Sequence, residues 1–215
     1  MASDSNMLML ERRVLLIDAD ITLAPNIVYS LVQKIKNENL DLVSLMAVLR
    51  TGTLWEKLLI PSFIYFFKLL YPFALSNHRK SKIAAAAGGL ILIKTDRLLK
   101  IGGFAALRDA IIDDCALARL VKTSGGRTWI GLSHSVTTTR PYDSLRNIWN
   151  MVARTAFTQL HYSTSLLAAS TFLLTLAFFV PMVGLVSGEP ATSTTSFVAI
   201  IVMSLTYYPI IKFYG

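Results

Sequence analysis

Cysteine is almost absent from this 215-residue sequence, and one long part of it has no basic residues. The single cysteine, Cys115, excludes an internal disulfide framework and a thiolate metal cluster within the chain. Charged residues make up 16% of the chain, and neither Lys nor Arg occurs between Ser163 and Lys212. Hydrophobic residues reach 53%, which is too many for an ordinary soluble domain. The composition therefore predicts a soluble body followed by a membrane-embedded tail.

Two apolar stretches lie in the part that lacks basic residues. The first, Ser165 to Val186, is long enough to cross a bilayer, which requires about 20 apolar residues. The second, Phe197 to Ile211, is shorter, but the Ser- and Thr-rich residues before it can extend it. We therefore expect a transmembrane helical hairpin over residues 163–215.

Basic residues flank the predicted hairpin at its two ends, which lie on the same side of the membrane. Arg146 and Arg154 precede it and Lys212 follows it, whereas the turn inside it carries Glu189 and no base. The positive-inside rule then predicts that the body and both ends of the hairpin are cytoplasmic. The net charge of +8 agrees with a basic face beside anionic lipid. No basic stripe or nucleic-acid-binding motif is present, so we expect no nucleic-acid partner.

The body alternates strand and helix patterns, which predicts an α/β fold. The apolar run Val14 to Ile17 is typical of a buried strand in a parallel sheet. Pro25 to Lys36 has a proline at the first helical position and helical apolar spacing. The other predicted elements are strands at Asp41–Leu49, at the end of Ala84–Lys94 and at Arg127–Leu132, and helices at Thr95–Lys100 and Asp114–Lys122.

The stretch Leu54 to Leu75 resembles a transmembrane span but carries three charges and is interrupted by Pro61 and Pro72. Its many aromatic residues favour an amphipathic helix over residues 54–75 that lies in the membrane interface. A buried core helix is the alternative interpretation. Residues 142–162 form a second predicted interface helix, which leads toward the hairpin.

The segment Asp18-Ala19-Asp20 follows the first predicted strand. Ligands of open α/β sheets bind at the carboxyl ends of strands, so both carboxylates should stand at the mouth of a cleft. Two carboxylates together with phosphate oxygens suit Mg²⁺ or Mn²⁺. The alternative is a strand that ends in an Asx turn, in which Asp20 caps the helix that starts near Pro25.

The sequence contains three motifs in this order: Asp18-Ala19-Asp20, Gly88–Lys94 running into Leu98–Phe104, and Ile112-Asp113-Asp114. Together they resemble family 2 glycosyltransferases of the GT-A fold. Five further segments resemble, within that family, the hopene-associated glycosyltransferases of hopanoid-making bacteria: Leu42–Met46, Leu58–Pro61, Ala84–Gly89, Ile111–Leu117 and Met151–Ala156. The resemblance implies a GT-A, Rossmann-like domain over residues 1–162, a nucleotide-sugar donor such as a UDP-sugar, and a lipid or hopanoid-like acceptor. It also implies a bacterial inner membrane location with the catalytic part in the cytoplasm.

The resemblance also implies roles for four acidic residues. Asp20 would be the strongest metal contact, and Asp18 would contact ribose or a metal-bound water. Asp114 would be the general base of an inverting transfer, with Asp113 beside it to raise its pKa. A helix N-terminus, where acids complement the helix dipole, is the alternative for the second pair.

Three further residues are expected to bind substrate. Arg154 lies where membrane-associated members carry a Gln/Arg-x-x-Arg-Trp motif, of which this chain keeps only the arginine, and it would pair with the diphosphate. In the alternative interpretation, Arg154 is a juxtamembrane residue that contacts lipid headgroups. Gly88 and Gly89 would let the backbone approach the acceptor, or would serve tight packing.

Asp18 lies very close to the start of the sequence, whereas a GT-A domain places a nucleotide-binding half before this motif. We therefore expect a partial GT-A domain that binds a UDP-sugar poorly by itself, and an inactive C-terminal fragment of such an enzyme is an alternative. A haloacid-dehalogenase-type phosphatase is a second one. In it Asp18 would be the nucleophile and Asp20 the acid/base, within Asp-x-Asp-x-Thr, and Asp113-Asp114 would hold Mg²⁺.

Overall fold

A computed structural model describes residues 12–108, 113–160 and 162–214, without the side chains of Asp113 and Gln159. The chain divides into two compact units. The first consists of Met1–Arg50 with Phe67–Pro141, and the second of Thr51–Phe66 with Tyr142–Gly215. The predicted domain bounds, 1–162 and 163–215, stay predictions.

The first unit contains a five-stranded mixed sheet with the order β1-β4-β3-β5-β2. β3 runs parallel to β5, and the other three pairs are antiparallel. The expectation of a buried strand in a parallel sheet is wrong in both respects. β1 is an outer strand paired antiparallel with β4, and none of its residues is buried. A continuous apolar run is typical of a buried strand, but it specifies neither the place of the strand in the sheet nor the direction of its neighbour. The strands are β1 Arg13–Leu16, β2 Ile21–Leu23, β3 Leu42–Val48, β4 Leu90–Lys94 and β5 Thr128–Thr138.

The helices that cover this sheet, and those of the second unit, follow most of the predicted segments. A short 3₁₀ helix at Gly103–Leu107 precedes the fifth α-helix. The α-helices are α1 Ile27–Glu38, α2 Leu54–Leu70, α3 Phe73–Asn77, α4 Thr95–Lys100, α5 Asp113–Thr123, α6 Leu145–Gln159, α7 Thr164–Leu185 and α8 Pro190–Tyr214.

Helices pack on both faces of the sheet, as the alternation of side chains along a strand requires. On one face, Ile91 and Ile93 of β4 contact the buried side of α5, including Leu117. On the opposite face, Leu90 and Leu92 belong to a second apolar cluster that contains the buried residues of α1. The central strand β3 and its neighbour β4 are therefore buried almost completely. They provide a rigid base for the loops at their ends.

The segment predicted as one interfacial helix, residues 54–75, contains two helices. The first ends at Leu70, and Pro72 lies immediately before the second, α3. Pro72 restricts its predecessor Tyr71 to extended backbone, which ends a helix. Pro61 is accommodated inside α2. The position of this segment in a membrane interface stays a prediction.

Two helices of the second unit, α7 and α8, are long and apolar enough to cross a membrane by length and composition. None of the apolar window of α7 is buried within the protein, and about a tenth of that of α8 is buried. α8 begins at Pro190. It therefore includes the Ser- and Thr-rich residues that precede the predicted apolar stretch Phe197 to Ile211. Near the turn, Ser193 Oγ donates to the carbonyl of Leu185 at 3.2 Å, which ties the two helices together.

Candidate active site

The antiparallel pairing of β1 with β4 creates the candidate site. Leu16 at the end of β1 lies opposite Ile91 near the start of β4. The residue pair before β4, Gly88-Gly89, therefore comes next to the acidic segment that follows β1. The backbone N–H of Asp18 donates to the carbonyl of Gly88 at 3.2 Å. Two predicted site segments thus meet at one end of the sheet.

Gly88 leaves the space that the carboxylate of Asp18 occupies. A Cβ atom at Gly88 would lie 2.7 Å from Oδ2 and 3.1 Å from Oδ1 of Asp18, closer than carbon and oxygen atoms normally approach. Gly89 is different, because a Cβ atom there would lie 2.7 Å from the backbone nitrogen of Ala47 in β3. This contact is tight packing, which was one of the two interpretations of the glycine pair. A role of either glycine in substrate binding stays a prediction.

The residues that precede Gly88 form an irregular segment, Ala84–Gly88, whose backbone is held by several different elements. Ser44 of β3 is fully buried, and its hydroxyl both donates to and accepts from the backbone of one residue. Buried backbone groups outside regular structure need such partners. The bonds are Ala85 N to Ser76 Oγ (2.9 Å), Cys115 Sγ to Ala86 O (3.3 Å), Ala87 N to Ser44 Oγ (2.9 Å) and Ser44 Oγ to Ala87 O (3.1 Å).

Asp114 lies in the first turn of α5 and faces the same cleft as Asp18 and Gly88. The cleft has a volume of about 210 Å³. Asp114 is half-buried, and its Oδ1 accepts a hydrogen bond of 2.7 Å from the backbone N–H of Cys115. Other lining residues are apolar: Leu16, Ile17, Ile91, Phe104, Leu107 and Leu117. The side chain of its predicted companion, Asp113, lies outside the described part of the chain.

Cys115 is a structural residue rather than a nucleophile. Its thiol is buried, and burial together with the negative charge of Asp114 raises its pKa to about 12. At neutral pH the thiol therefore stays protonated and can donate to the carbonyl of Ala86. Through this contact the start of α5 is fixed against the segment that leads to Gly88.

Asp20 is held at the end of β5. Its Oδ2 accepts a hydrogen bond of 2.9 Å from Oγ1 of Thr138 at the end of β5, and its carbonyl accepts one of 2.8 Å from Thr139 N. Asp20 is not among the residues that line the cleft around Asp18. The alternative in which Asp20 caps the following helix is wrong, because β2 intervenes and α1 starts after Asn26.

Arg154 lies on α6 in the second unit, where its side chain is exposed. Its predicted contact with a diphosphate stays a prediction, as does its alternative contact with lipid headgroups. An amphipathic helix was expected over residues 142–162, and α6 covers the central part of that range.

The carboxylates are suitable ligands for a hard divalent cation. The protein would supply only some of the ligands of that cation. Within residues 12–108, 113–160 and 162–214, no three His, Cys, Asp or Glu side chains come together as a possible metal cage. Mg²⁺ is usually bound through one or two carboxylates, and substrate phosphates and water supply the rest. Asp18 is exposed and Gly88 leaves room around its oxygens, so this carboxylate can act as such a ligand.

A comparison with models of protein families supplies the observation that decides the class. The model described as "Glycosyl transferase family 21" matches residues 11–212, which is nearly the whole chain. The chain belongs to glycosyl transferase family 21. No curated protein matches it. The expected class, a glycosyltransferase, is confirmed, whereas the likeness to family 2, the GT-A fold and the hopanoid connection stay predictions.

In this family 21 chain, the structure adds positioning residues that the sequence analysis missed. Ser44 and Ser76 lie inside apolar or mixed segments, and nothing in the local sequence pattern distinguishes them from ordinary small residues. Their role becomes visible only through partners 43 and 9 residues away in the chain.

Glu56 is a third residue that the sequence analysis of this family 21 chain missed, and here a signal was available. Thr53 and Glu56 have the spacing of a capping box, in which each side chain binds the other's backbone N–H. Glu56 N donates to Thr53 Oγ1 at 3.2 Å, and Thr53 N donates to Glu56 Oε2 at 2.9 Å. The buried carboxylate also accepts from the N–H groups of Gly52 and Tyr142. It therefore joins the start of α2 to the chain that precedes α6.

Proposed function

We propose that this chain is a membrane-associated, inverting glycosyltransferase that moves a sugar from a UDP-sugar to the hydroxyl group of a lipid, such as a hopanoid. The observation that carries the proposal is the meeting of Asp18, Gly88 and Asp114 in one cleft of a family 21 chain. A fold alone does not determine a reaction, so the proposal rests on these side chains and their chemistry.

Asp114 is the proposed general base. The acceptor oxygen attacks the anomeric carbon while the bond from that carbon to the diphosphate oxygen breaks. The proton of the acceptor hydroxyl passes to the carboxylate of Asp114, and the nucleoside diphosphate leaves with the electron pair. Such a base must lie within hydrogen-bond reach of the hydroxyl, and the contact from Cys115 N to Oδ1 fixes its orientation.

Asp18 and Asp20 are the proposed protein ligands of Mg²⁺ or Mn²⁺. When bound, this cation supplies neutralisation of the charge that develops on the leaving diphosphate. Asp18 holds its carboxylate at the cleft because Gly88 leaves space for it. Asp20 is oriented by the hydroxyl of Thr138, which is the kind of second contact that fixes a ligating carboxylate.

The surroundings of the cleft support a lipid acceptor. Ile17 and Phe104 line it and yet are about half exposed, at 48% and 52%. Exposed apolar side chains beside two carboxylates suit an acceptor that has a hydroxyl on a large apolar body. The two candidate membrane spans, α7 and α8, would keep the chain at the bilayer that contains such acceptors.

The test is transfer of label from UDP-sugars to lipid in membranes from cells that express the gene. Membranes are incubated with radiolabelled UDP-sugars and Mn²⁺, together with a hopanoid fraction or a hopanoid-free lipid extract. We expect label in the organic phase, and its loss in Asp114→Asn. Asp96→Asn is the matched control, because Asp96 is an exposed acid in the first turn of α4.

The outcomes separate the parts of the proposal. Label that stays water-soluble in both preparations would contradict lipid glycosylation. Label that enters only hopanoid-free lipids rejects the hopanoid acceptor and keeps the transferase. Equal activity of the Asp114 and Asp96 variants would reject Asp114 as the base.

A further inference from the structure

A second cavity lies entirely within the second unit, between the first half of α2 and the last turns of α8. It has a volume of about 560 Å³, in the range of roughly 300–1,000 Å³ that is typical of small-molecule sites. We call it the α2–α8 groove. Its lining residues are Thr51, Lys57, Leu58, Pro61, Tyr207, Ile211 and Tyr214.

The groove is formed by regular helix faces that hydrogen bonds hold together. Tyr207 and Ile211 are separated by one helical turn, so both project from one face of α8. Ser62 Oγ and Tyr207 OH form a hydrogen bond of 3.0 Å, and Tyr65 OH and Thr206 Oγ1 form another of 3.0 Å. The separation of the two helices is thus fixed without a ligand, and the groove is largely pre-formed.

The groove is lined by both polar and apolar residues. Leu58, Pro61 and Ile211 form an apolar part, which can contact a hydrocarbon chain. Lys57 is exposed and is the one charged side chain among the described residues that line the groove. The neighbouring acid, Glu56, is fully buried and is bound to backbone N–H groups. The groove therefore presents a cation beside an apolar surface.

We propose that the α2–α8 groove binds one anionic phospholipid, with an acyl chain on Leu58, Pro61 and Ile211 and the phosphate beside the ammonium group of Lys57. α8 is a candidate membrane span, and its last turn carries a second base, Lys212. The positive-inside rule predicts that this end faces the cytoplasmic leaflet, which is rich in anionic lipid. This lipid is distinct from the sugar acceptor, and its binding requires neither donor nor metal.

The test is lipid competition on the full chain purified in detergent, measured by native mass spectrometry. Equimolar phosphatidylglycerol and phosphatidylcholine with identical acyl chains are added, and the ratio of the two singly bound species is recorded. We expect phosphatidylglycerol to be preferred. Lys57→Gln should reduce that preference about fivefold, the effect of roughly one basic residue near an anionic surface. Lys212 is not among the residues that line the groove, so Lys212→Gln removes the same charge and should change the preference less than twofold.

A second pair of variants tests the apolar part of the groove. Leu58→Trp fills the space and should reduce binding of both lipids. Leu205→Trp makes the same change at an exposed position of α8 that does not line the groove, and binding should persist. No headgroup preference in the native chain, equal effects of the two lysine variants, or full lipid binding by the Leu58 variant would each overturn the proposal. Because sugar transfer is not measured, failure here leaves the proposed reaction unaffected.

Discussion

The carboxylate of Asp18 occupies the space of the side chain that Gly88 lacks, since a Cβ atom at Gly88 would lie 2.7 Å from Asp18 Oδ2. In Gly88→Ala the methyl group should displace this carboxylate and reduce Mn²⁺ affinity by about 10-fold or more. Metal sites lose affinity to this extent when a group that orients a ligand is removed. Free Mn²⁺ is measured by electron paramagnetic resonance during titration of the purified chain.

Gly89→Ala is the matched control for that experiment. Its methyl group would meet the backbone of Ala47 in the centre of the sheet, so it should lower stability by about 1–3 kcal/mol. Mn²⁺ affinity should change less than in the Gly88 variant while the protein is folded. Native Mn²⁺ affinity in Gly88→Ala would contradict a metal role for Asp18.

The hydroxyl of Thr138 should orient Asp20 as a metal ligand. Thr138→Val keeps the shape of the side chain and removes the donor to Asp20 Oδ2. We expect the Mn²⁺ concentration for half-maximal sugar transfer to rise by about 10-fold. Thr123→Val removes an exposed hydroxyl that binds only nearby helix carbonyls, and it should leave this concentration unchanged. The same result for both variants would argue against Asp20 as a ligand.

Ser44→Ala should destabilise the first unit by about 1–3 kcal/mol, because it leaves the buried N–H and carbonyl of Ala87 without their hydroxyl partner. The midpoint of thermal unfolding in detergent measures the change. Ser30→Ala is the control, since the Ser30 hydroxyl is exposed and donates to the carbonyl of Asn26, the residue before α1. If both variants unfold at the same temperature, Ser44 does not hold this segment.

Glu56 should make stability depend on pH in the acidic range. Burial alone would raise the pKa of this carboxyl, but hydrogen bonds from Thr53, Tyr142 and Gly52 outweigh it and lower the pKa below 4.5. A group with a lowered folded-state pKa stabilises the protein above its unfolded-state pKa, and this contribution is lost as the pH falls through the folded-state value. Glu56→Gln should therefore show a smaller loss of stability than the native chain between about pH 5 and pH 3.

At neutral pH the same variant should be less stable than the native chain. The amide group of Gln presents N–H donors to a site that offers backbone N–H groups, which costs about 1–3 kcal/mol. Urea unfolding followed by tryptophan fluorescence measures both effects. Glu189→Gln, at the exposed hairpin turn, provides a control for the loss of one charge. Parallel pH curves for native and Glu56→Gln chains would contradict this role.

The position of most elements could be predicted, but the topology of the sheet could not. The apolar runs of β3 and β4 and the spacing of α1 indicated these elements correctly, because burial leaves a periodic pattern in sequence. Strand direction leaves no such pattern, and β1 was assigned to a parallel sheet. β2 was missed because its three residues, Ile21–Leu23, are too few to display an alternation.

The meeting of Asp18, Gly88 and Asp114 was expected from a resemblance between motifs rather than from spacing. Their contacts depend on a strand pair and a helix that are distant in sequence, and local patterns cannot specify such packing. The two acids of Asp-x-Asp also differ more than the motif indicates. Asp18 faces the cleft, whereas Asp20 is bound to Thr138 at the end of β5.

The contacts of the segment Ala84–Gly88 limit the insertion and deletion of residues within it. Loops outside helices and strands normally tolerate inserted or deleted residues. Here successive residues are matched one by one to Ser76, Cys115, Ser44 and Asp18, which belong to different parts of the fold. One added residue would shift every match by one position and move Gly88 away from the carboxylate beside it. This segment should therefore have a fixed length wherever the same site is retained.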